Sequence, residues 1–375
     1  MAVTESYQEE ELTMHTTTRL LLLCSFAAIA IVSAPLAAQA SGWGSGGQNA
    51  SADDLIPSMS SGQAYSERYS FSVSLDGGGH IGMNWTISNL GIRNGYGAAQ
   101  VRFEHSDFDN YSSSERESRR NWSYDENSFK LDIADATIRA VDDSTFELNY
   151  DAGDVKAELT FENTIDMWRP GSGELGDGGD FYRFTMVSPR ANVTGRIYRD
   201  GQWHDVSGTN SGYADHVVTN VAPYNLASRF TRFRQYDDDV FVMWREVDLT
   251  DDYGGDNPVW VVVGVGDEIV YEDLDAELRF GDVERDDETG YRVPHAVQVL
   301  SENADGNLRL TLRKDNINRT DLLEEHGRVA RMIASSVSNP FQYNVEGDYA
   351  LEVNVGDRRL RTMDDGHVTI DYVTD

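Results

Sequence analysis

The sequence predicts an all-β protein of two antiparallel barrels or sandwiches in tandem. Three observations carry this. Apolar residues alternate with polar ones over short runs, as at Tyr69, Phe71, Val73 and Leu75, which is the period of a half-buried strand. Turn chemistry such as Asp76-Gly77-Gly78-Gly79, Asp142-Asp143 and Asp151-Ala152-Gly153 punctuates those runs at the spacing of sandwiches and barrels. The rhythm runs through twice, over residues 65–225 and 226–375, in a chain whose 375 residues suit two ordinary domains.

Residues 1–40 read as an export signal. His15 to Arg19 precede a Leu/Ala/Ile-rich run from Leu20 to Val32, and Ala38-Gln39-Ala40 supplies the cleavage site. That run is shorter than the roughly 20 residues a spanning helix needs. Glu5, Glu9, Glu10 and Glu11 do not suit a signal, so Met14 is taken as the true start. Cleavage after Ala40 removes Cys24, the single cysteine, leaving no disulfide, thiol nucleophile or thiolate metal site. The expected home is the periplasm or exterior of a bacterium, with no integral membrane segment after cleavage. Residues 41–64, rich in Gly and Ser, read as a flexible linker.

Strands of the first set are expected at 69–75, 80–87, 98–104, 128–133, 137–141, 145–150, 155–161, 181–187 and 191–198. The second set is expected at 230–236, 240–247, 259–264, 268–271, 276–280, 296–300, 308–314, 349–355 and 368–372. One segment differs. Leu322, Leu323, Val329, Met332 and Ile333 fall near helical spacing over 321–337, with Asp321 as a cap and Pro340 beyond the end.

Charge excludes some functions. With 64 Asp+Glu against 31 Lys+Arg, the net charge is −33, so the chain lacks the basic footprint of a nucleic-acid binder or of a protein docking on anionic membranes. Only three lysines occur, Lys130, Lys156 and Lys314. An acidic, lysine-poor surface suits a salt-adapted bacterium, and coding bias accounts for it equally well.

Enzyme motifs are sparse. Gly264-Val265-Gly266 follows a strand, but Ile269 stands where a dinucleotide loop needs its third glycine. There is no Walker loop, nucleophile elbow or His-Glu-x-x-His. Asp237-Asp238-Asp239 and Asp364-Asp365-Gly366 fit hairpin turns and lack calcium-loop spacing. No cofactor or metal is expected.

The densest chemistry lies between Gly212 and Glu246. Tyr213, Asp215, His216, Tyr224, Arg229, Arg232, Arg234, Trp244, Arg245 and Glu246 all fall there. On a strand Asp215 and His216 face opposite ways, so they do not form a pair. The run Val240 to Val247 is apolar on both faces, as for a strand covered on both sides at a seam. Charges within it need partners. The functional reading is a polar end to an apolar cavity, with Tyr213, His216, Tyr224, Arg229, Trp244 and Glu246 as ligand-binding candidates. The alternative is a structural Arg–carboxylate network joining the two barrels.

Several of these residues carry a resemblance. Pro223 through Phe230, the Trp244 strand and Val259–Gly266 resemble the yeast survival-factor family. So do the opening hairpin with Tyr69, Phe71, Gly79, Gly82, Ser88-Asn89 and Gly91, and the segment Asn339-Pro340-Phe341-Gln342-Tyr343 followed by Tyr349–Val355. Tyr213-Ala214-Asp215-His216 is similar to the Asp-His motif of the related carotenoid hydratase and AttH-like proteins. The resemblance implies two lipocalin-like barrels and an association with hydrophobic small molecules. The survival-factor branch is linked to sphingolipid handling and oxidative stress. The hydratase branch adds water to isoprenoid double bonds, or cyclises them, using an acid and no cofactor. Val218 stands where that branch has Trp, and its downstream Tyr and Asp pair has no counterpart placed here.

Two functions follow. One is a carrier for a lipid or isoprenoid held in a barrel cavity. The other is a cofactor-free hydratase, isomerase or cyclase, with Asp215 or His216 as catalytic candidates. Asp215 as general acid would need a pKa raised by apolar burial.

Overall fold

The computed structural model describes residues 42–375 apart from 61, 63, 90–94, 177–178, 238, 324–338 and 375. The export signal read over 1–40 and nearly all of the helix read over 321–337 lie outside the described residues. The fold is all-β: two antiparallel sheets, consistent with tandem lipocalin-like barrels.

The first sheet takes β1 (Gly47–Asn49), β2 (Ser66–Ser74), β3 (His80–Ser88), β4 (Tyr96–His105), β5 (Phe108–Glu117), β6 (Trp122–Tyr124), β7 (Lys130–Ile133), β8 (Ala136–Ala140), β9 (Thr145–Asp151), β10 (Lys156–Asn163), β11 (Trp168–Pro170), β12 (Glu174–Gly176), β13 (Phe181–Arg199) and β14 (Gln202–Thr219). Its main path runs β5-β4-β3-β2-β14-β13-β10-β9-β8-β7-β6. The second takes β15 (Ala227–Asp237), β16 (Val240–Leu249), β17 (Val259–Val265), β18 (Glu268–Asp273), β19 (Glu277–Arg285), β20 (Arg292–Glu302), β21 (Gly306–Arg313), β22 (Asn316–Asp321), β23 (Phe341–Val355) and β24 (Arg358–Tyr372). Its main path runs β18-β17-β16-β15-β24-β23-β21-β20-β19.

Alternation decides which face of each strand is inside. Tyr69, Phe71 and Val73 of β2 turn inward with Ile81, Met83 and Trp85 of β3, while Arg68, Ser70 and Ser72 turn outward. Curling brings β6 back over β4. Trp122 donates its indole N–H to Gly95 O at 3.1 Å, and its ring covers Gly97, where a Cβ would fall 2.8 Å from the ring. Phe71, Phe146 and Phe161 fill the first interior, with edge-on contacts at ring distances near 5–6 Å. Phe233, Trp244, Leu310, Tyr349 and Leu351 fill the second.

A third apolar cluster forms the seam between the sheets, from Trp168, Phe184, Phe241, Met243, Trp260 and Val262 among others. Strand β16 is therefore buried on both faces, with Trp244 toward the second interior and Phe241 and Met243 toward the seam. Arg190 of β13 fastens the two sheets by donating to Asp239 O (2.9 Å) and Gly266 O (3.2 Å). Gly264, weighed above as part of a nucleotide loop, has a packing reason instead: a Cβ there would fall 1.9 Å from the Phe241 ring.

Several expectations are corrected. The segment read as a flexible linker is packed. Trp43 is 1% exposed, β1 pairs with β11, and Gly47 N–H donates to Glu272 of the second sheet at 2.7 Å. Its Trp and Leu residues found apolar cover that a Gly/Ser count does not reveal. Asp321 ends β22, and its carboxylate accepts from the Leu323 N–H at 2.8 Å. Asp364-Asp365-Gly366 lies within β24, opposite Tyr349, Asp348 and Gly347, not in a turn. The runs at 181–187 and 191–198 form one strand, β13, with register shifts between Met186 and Val193 standing where a break was expected.

Candidate functional site

A cleft of about 860 Å³ opens between the two sheets. One wall is the outward face of β2 to β5, where Ser70, Ser72, Asn84, Gln100, Ser112 and Ser114 supply hydroxyls and amides. The facing wall comes from the second sheet, with Met243, Arg245 and Trp260, joined by Tyr213 and Asp215 of β14. The register explains the second group. Tyr213 pairs with Ser72 and Asp215 with Ser70, so both take the outward face of the first sheet, while His216 pairs with Tyr69 and takes the inward one.

At the bottom of the cleft, Tyr213 donates to Asp215 Oδ2 at 3.0 Å, and Arg245 Nη2 stands 3.5 Å from the same oxygen. Arg245 also donates to the Tyr182 hydroxyl at 3.0 Å and lies over the Phe184 ring at 4.1 Å. Burial alone would raise the Asp215 carboxyl. Arg245, Arg68, the Tyr213 hydroxyl and Arg234 outweigh it and hold the group below the ordinary carboxylate range. Burial, with the Asp215 charge, pushes the Tyr213 hydroxyl well above the ordinary tyrosine range. Asp215 is thus a carboxylate and Tyr213 a neutral donor at neutral pH. The general-acid reading of Asp215 requires apolar surroundings, and the carboxyl is instead faced by arginines.

The arginines are graded in depth. Arg245 is buried, Arg234 is half-buried with its guanidinium 4.0 Å from the Tyr213 ring, and Arg68 is exposed at the rim. Arg102 and Arg232 also line the cleft but are matched by Glu104 and Asp371. His80 of β3 and His367 of β24 line the cleft with Arg234. Burial, then Arg234, holds each below the ordinary histidine range, so both are neutral at pH 7.

The remaining candidates are dispersed. His216 stacks on Tyr69 with ring centres 4.3 Å apart, and its Nε2 is 2.8 Å from Glu67 Oε1. Glu67 also accepts from the Tyr65 and Tyr69 hydroxyls. This group borders a smaller cavity of about 220 Å³ with Thr185 and Arg183. Arg229 pairs with Glu246 (2.9 Å) and Asp248 (3.3 Å), and Thr231 donates to Glu246 at 2.6 Å. This network lies within the second sheet; the Arg–carboxylate contact between the two sheets is Arg245 with Asp215. The Trp244 ring packs in the second interior, stacked on Phe233, and of these candidates Trp244 also lines the cleft. Tyr224, half-buried in a single helical turn at Pro223–Leu226, is not among the cleft's lining residues.

Sequence reasoning missed Arg68, His80, His367 and Trp260 as cleft residues. The alternation on β2 was enough to turn Arg68 outward. Nothing local indicates that this outward face meets a second sheet.

Residues 103–371 match the model of the Svf1 family. No curated protein matches the chain by sequence. Among solved structures, CghA is similar with a TM-score of 0.56 at 12% identity, over 92% of this chain and 96% of CghA. CghA with Sch210972 gives the same score and identity over 94% and 98%. An AttH-like protein from Nitrosomonas europaea is similar with a TM-score of 0.50 at 13% identity, over 86% of this chain and 96% of that one. Kievitone hydratase from Nectria haematococca gives 0.49 at 13%, over 91% and 99%. At these identities the likeness concerns the fold.

Proposed function

The chain belongs to the Svf1 family, and from that premise we propose that it is an exported binding protein for a hydrophobic small molecule, a lipid or an isoprenoid, seated between its two sheets. The observation that carries this reading is the cleft. Its volume of about 860 Å³ falls among those of ligand pockets, against about 220 Å³ for the cavity beside His216 and Glu67. Met243, Trp260 and the Tyr213 ring offer apolar surface beside a few placed polar groups. The solution of CghA with Sch210972 on a similar fold is in keeping with it. The signal-like residues 15–40 support export.

The catalytic alternative, acid-driven hydration or cyclisation of a double bond, is less well supported. Its acid would be Asp215, and the surrounding arginines keep that group ionised.

The test is to purify the mature chain, residues 41–375, from its own host's periplasm, extract it with organic solvent and identify co-purifying molecules by mass spectrometry. A stoichiometric lipid or isoprenoid is expected. A protein that is empty, and that takes up no member of a lipid and isoprenoid panel, overturns the carrier reading.

A further inference from the structure

Charge in the cleft runs opposite to charge in the chain. The protein carries a net −33, yet Arg245, Arg68 and Arg234 converge on the single carboxylate of Asp215 from two different sheets. Arg245 is committed to that carboxylate and to Tyr182. Among the described residues, neither Arg68 nor Arg234 has a carboxylate within ion-pair distance, although Asp and Glu outnumber Lys and Arg twofold along the chain. Arg234 rests on the Tyr213 ring, which fixes its guanidinium and leaves its N–H groups unmatched by an acid. Two cations thus remain without an ion-pair partner in a cavity whose other charged lining groups are paired, Arg102 with Glu104, Arg232 with Asp371 and Arg245 with Asp215, beside neutral hydroxyls, amides and imidazoles. Such an arrangement lowers the cost of bringing an anion out of water and suits charge-assisted bonding to its oxygens.

We propose that the molecule held in the cleft carries an acidic oxygen group, a carboxylate or a phosphate monoester, on its apolar body, and that Arg68 and Arg234 bind that group. This rests on the reading of the cleft as the binding site and narrows it from hydrophobic molecules in general to amphipathic acids. Arg68 at the rim meets the anion first, and Arg234 holds it against the Tyr213 face. The apolar body then runs toward Met243 and Trp260.

The experiment uses matched pairs that differ in the head group alone: oleate with oleyl alcohol, retinoate with retinol, and farnesyl phosphate with farnesol. Each is titrated into the mature protein, following tryptophan fluorescence at two salt concentrations. The acid of a pair is expected to bind about tenfold or more tighter than its alcohol, with affinity falling as salt rises. Arg68→Gln, an exposed substitution, is expected to weaken the acid about tenfold and leave the alcohol unchanged, and Arg234→Gln to do the same. The carboxylate and phosphate arms report which oxyanion the site prefers. Alcohols that bind as tightly as acids, with affinities indifferent to both substitutions, overturn the acidic-group inference and leave the cleft reading standing. Binding of no pair overturns both.

Discussion

Arg245 of the second sheet reaches across the seam to within 3.5 Å of Asp215 on the first, with both side chains more than nine-tenths buried. This contact joins the two sheets and also forms the bottom of the cleft. Breaking a buried pair from one side leaves an uncompensated charge and costs about 3–5 kcal/mol. Asp215→Ala is therefore expected to lower stability in urea by about that amount, and Asp215→Ala with Arg245→Met to recover part of it. Additive losses from the two substitutions would contradict the coupling. The sign with pH follows from the depressed carboxyl: folded Asp215 titrates below its unfolded value. Its contribution is fully present above about pH 4 and is lost as pH falls through the lower folded value. The stability gap between the parent and Asp215→Asn should close in that acid window.

Glu246 is tied into an ion-pair network and is not among the residues lining the cleft. It accepts from Arg229 and Thr231 at 1% exposure, away from the cleft wall. Glu246→Ala leaves Arg229 with only Asp248 and is expected to destabilise the fold by about 3 kcal/mol. The fraction that stays folded should bind the cleft ligand as the parent does. A matched loss of affinity, measured on folded protein, would return Glu246 to the binding residues.

Gly82 gives direct access to the cleft. A Cβ at Gly82 would meet nothing closer than the His80 ring nitrogen at 3.6 Å, and the residue lines the cavity. Gly82→Trp should fill much of the space between the sheets with a change in thermal midpoint of only a few degrees, as expected for a site without crowding. Ligand retention should disappear. Full retention in a folded Gly82→Trp protein would place the ligand elsewhere.

Much of the fold was legible in the sequence because period-two alternation is a local signal. β2 and β3 read cleanly, since each has one apolar and one polar face. β16 read as a seam strand because both its faces are apolar. β5 did not read at all. Phe108 is its single buried residue, and Asn110 to Ser114 line the cleft, with no core face to impose a pattern. The packed stretch around Trp43 was hidden for the opposite reason: its order comes from distant partners, Trp168 and Glu272. The site was half legible. Spacing alone put Asp215 and His216 on opposite faces. Which of the two faces meets the second sheet depends on how the barrels pack, and that left Arg68, His80 and Trp260 unread.

The most direct test of the account is a crystal structure of the mature protein grown with the molecule that co-purifies with it, or with oleate if it is isolated empty. Ligand density is predicted between the sheets, its apolar body against Met243 and Trp260 and its acidic oxygens within hydrogen-bond reach of Arg234 and Arg68. Density inside either barrel, or beside His216 and Glu67 with the cleft unfilled, would contradict it.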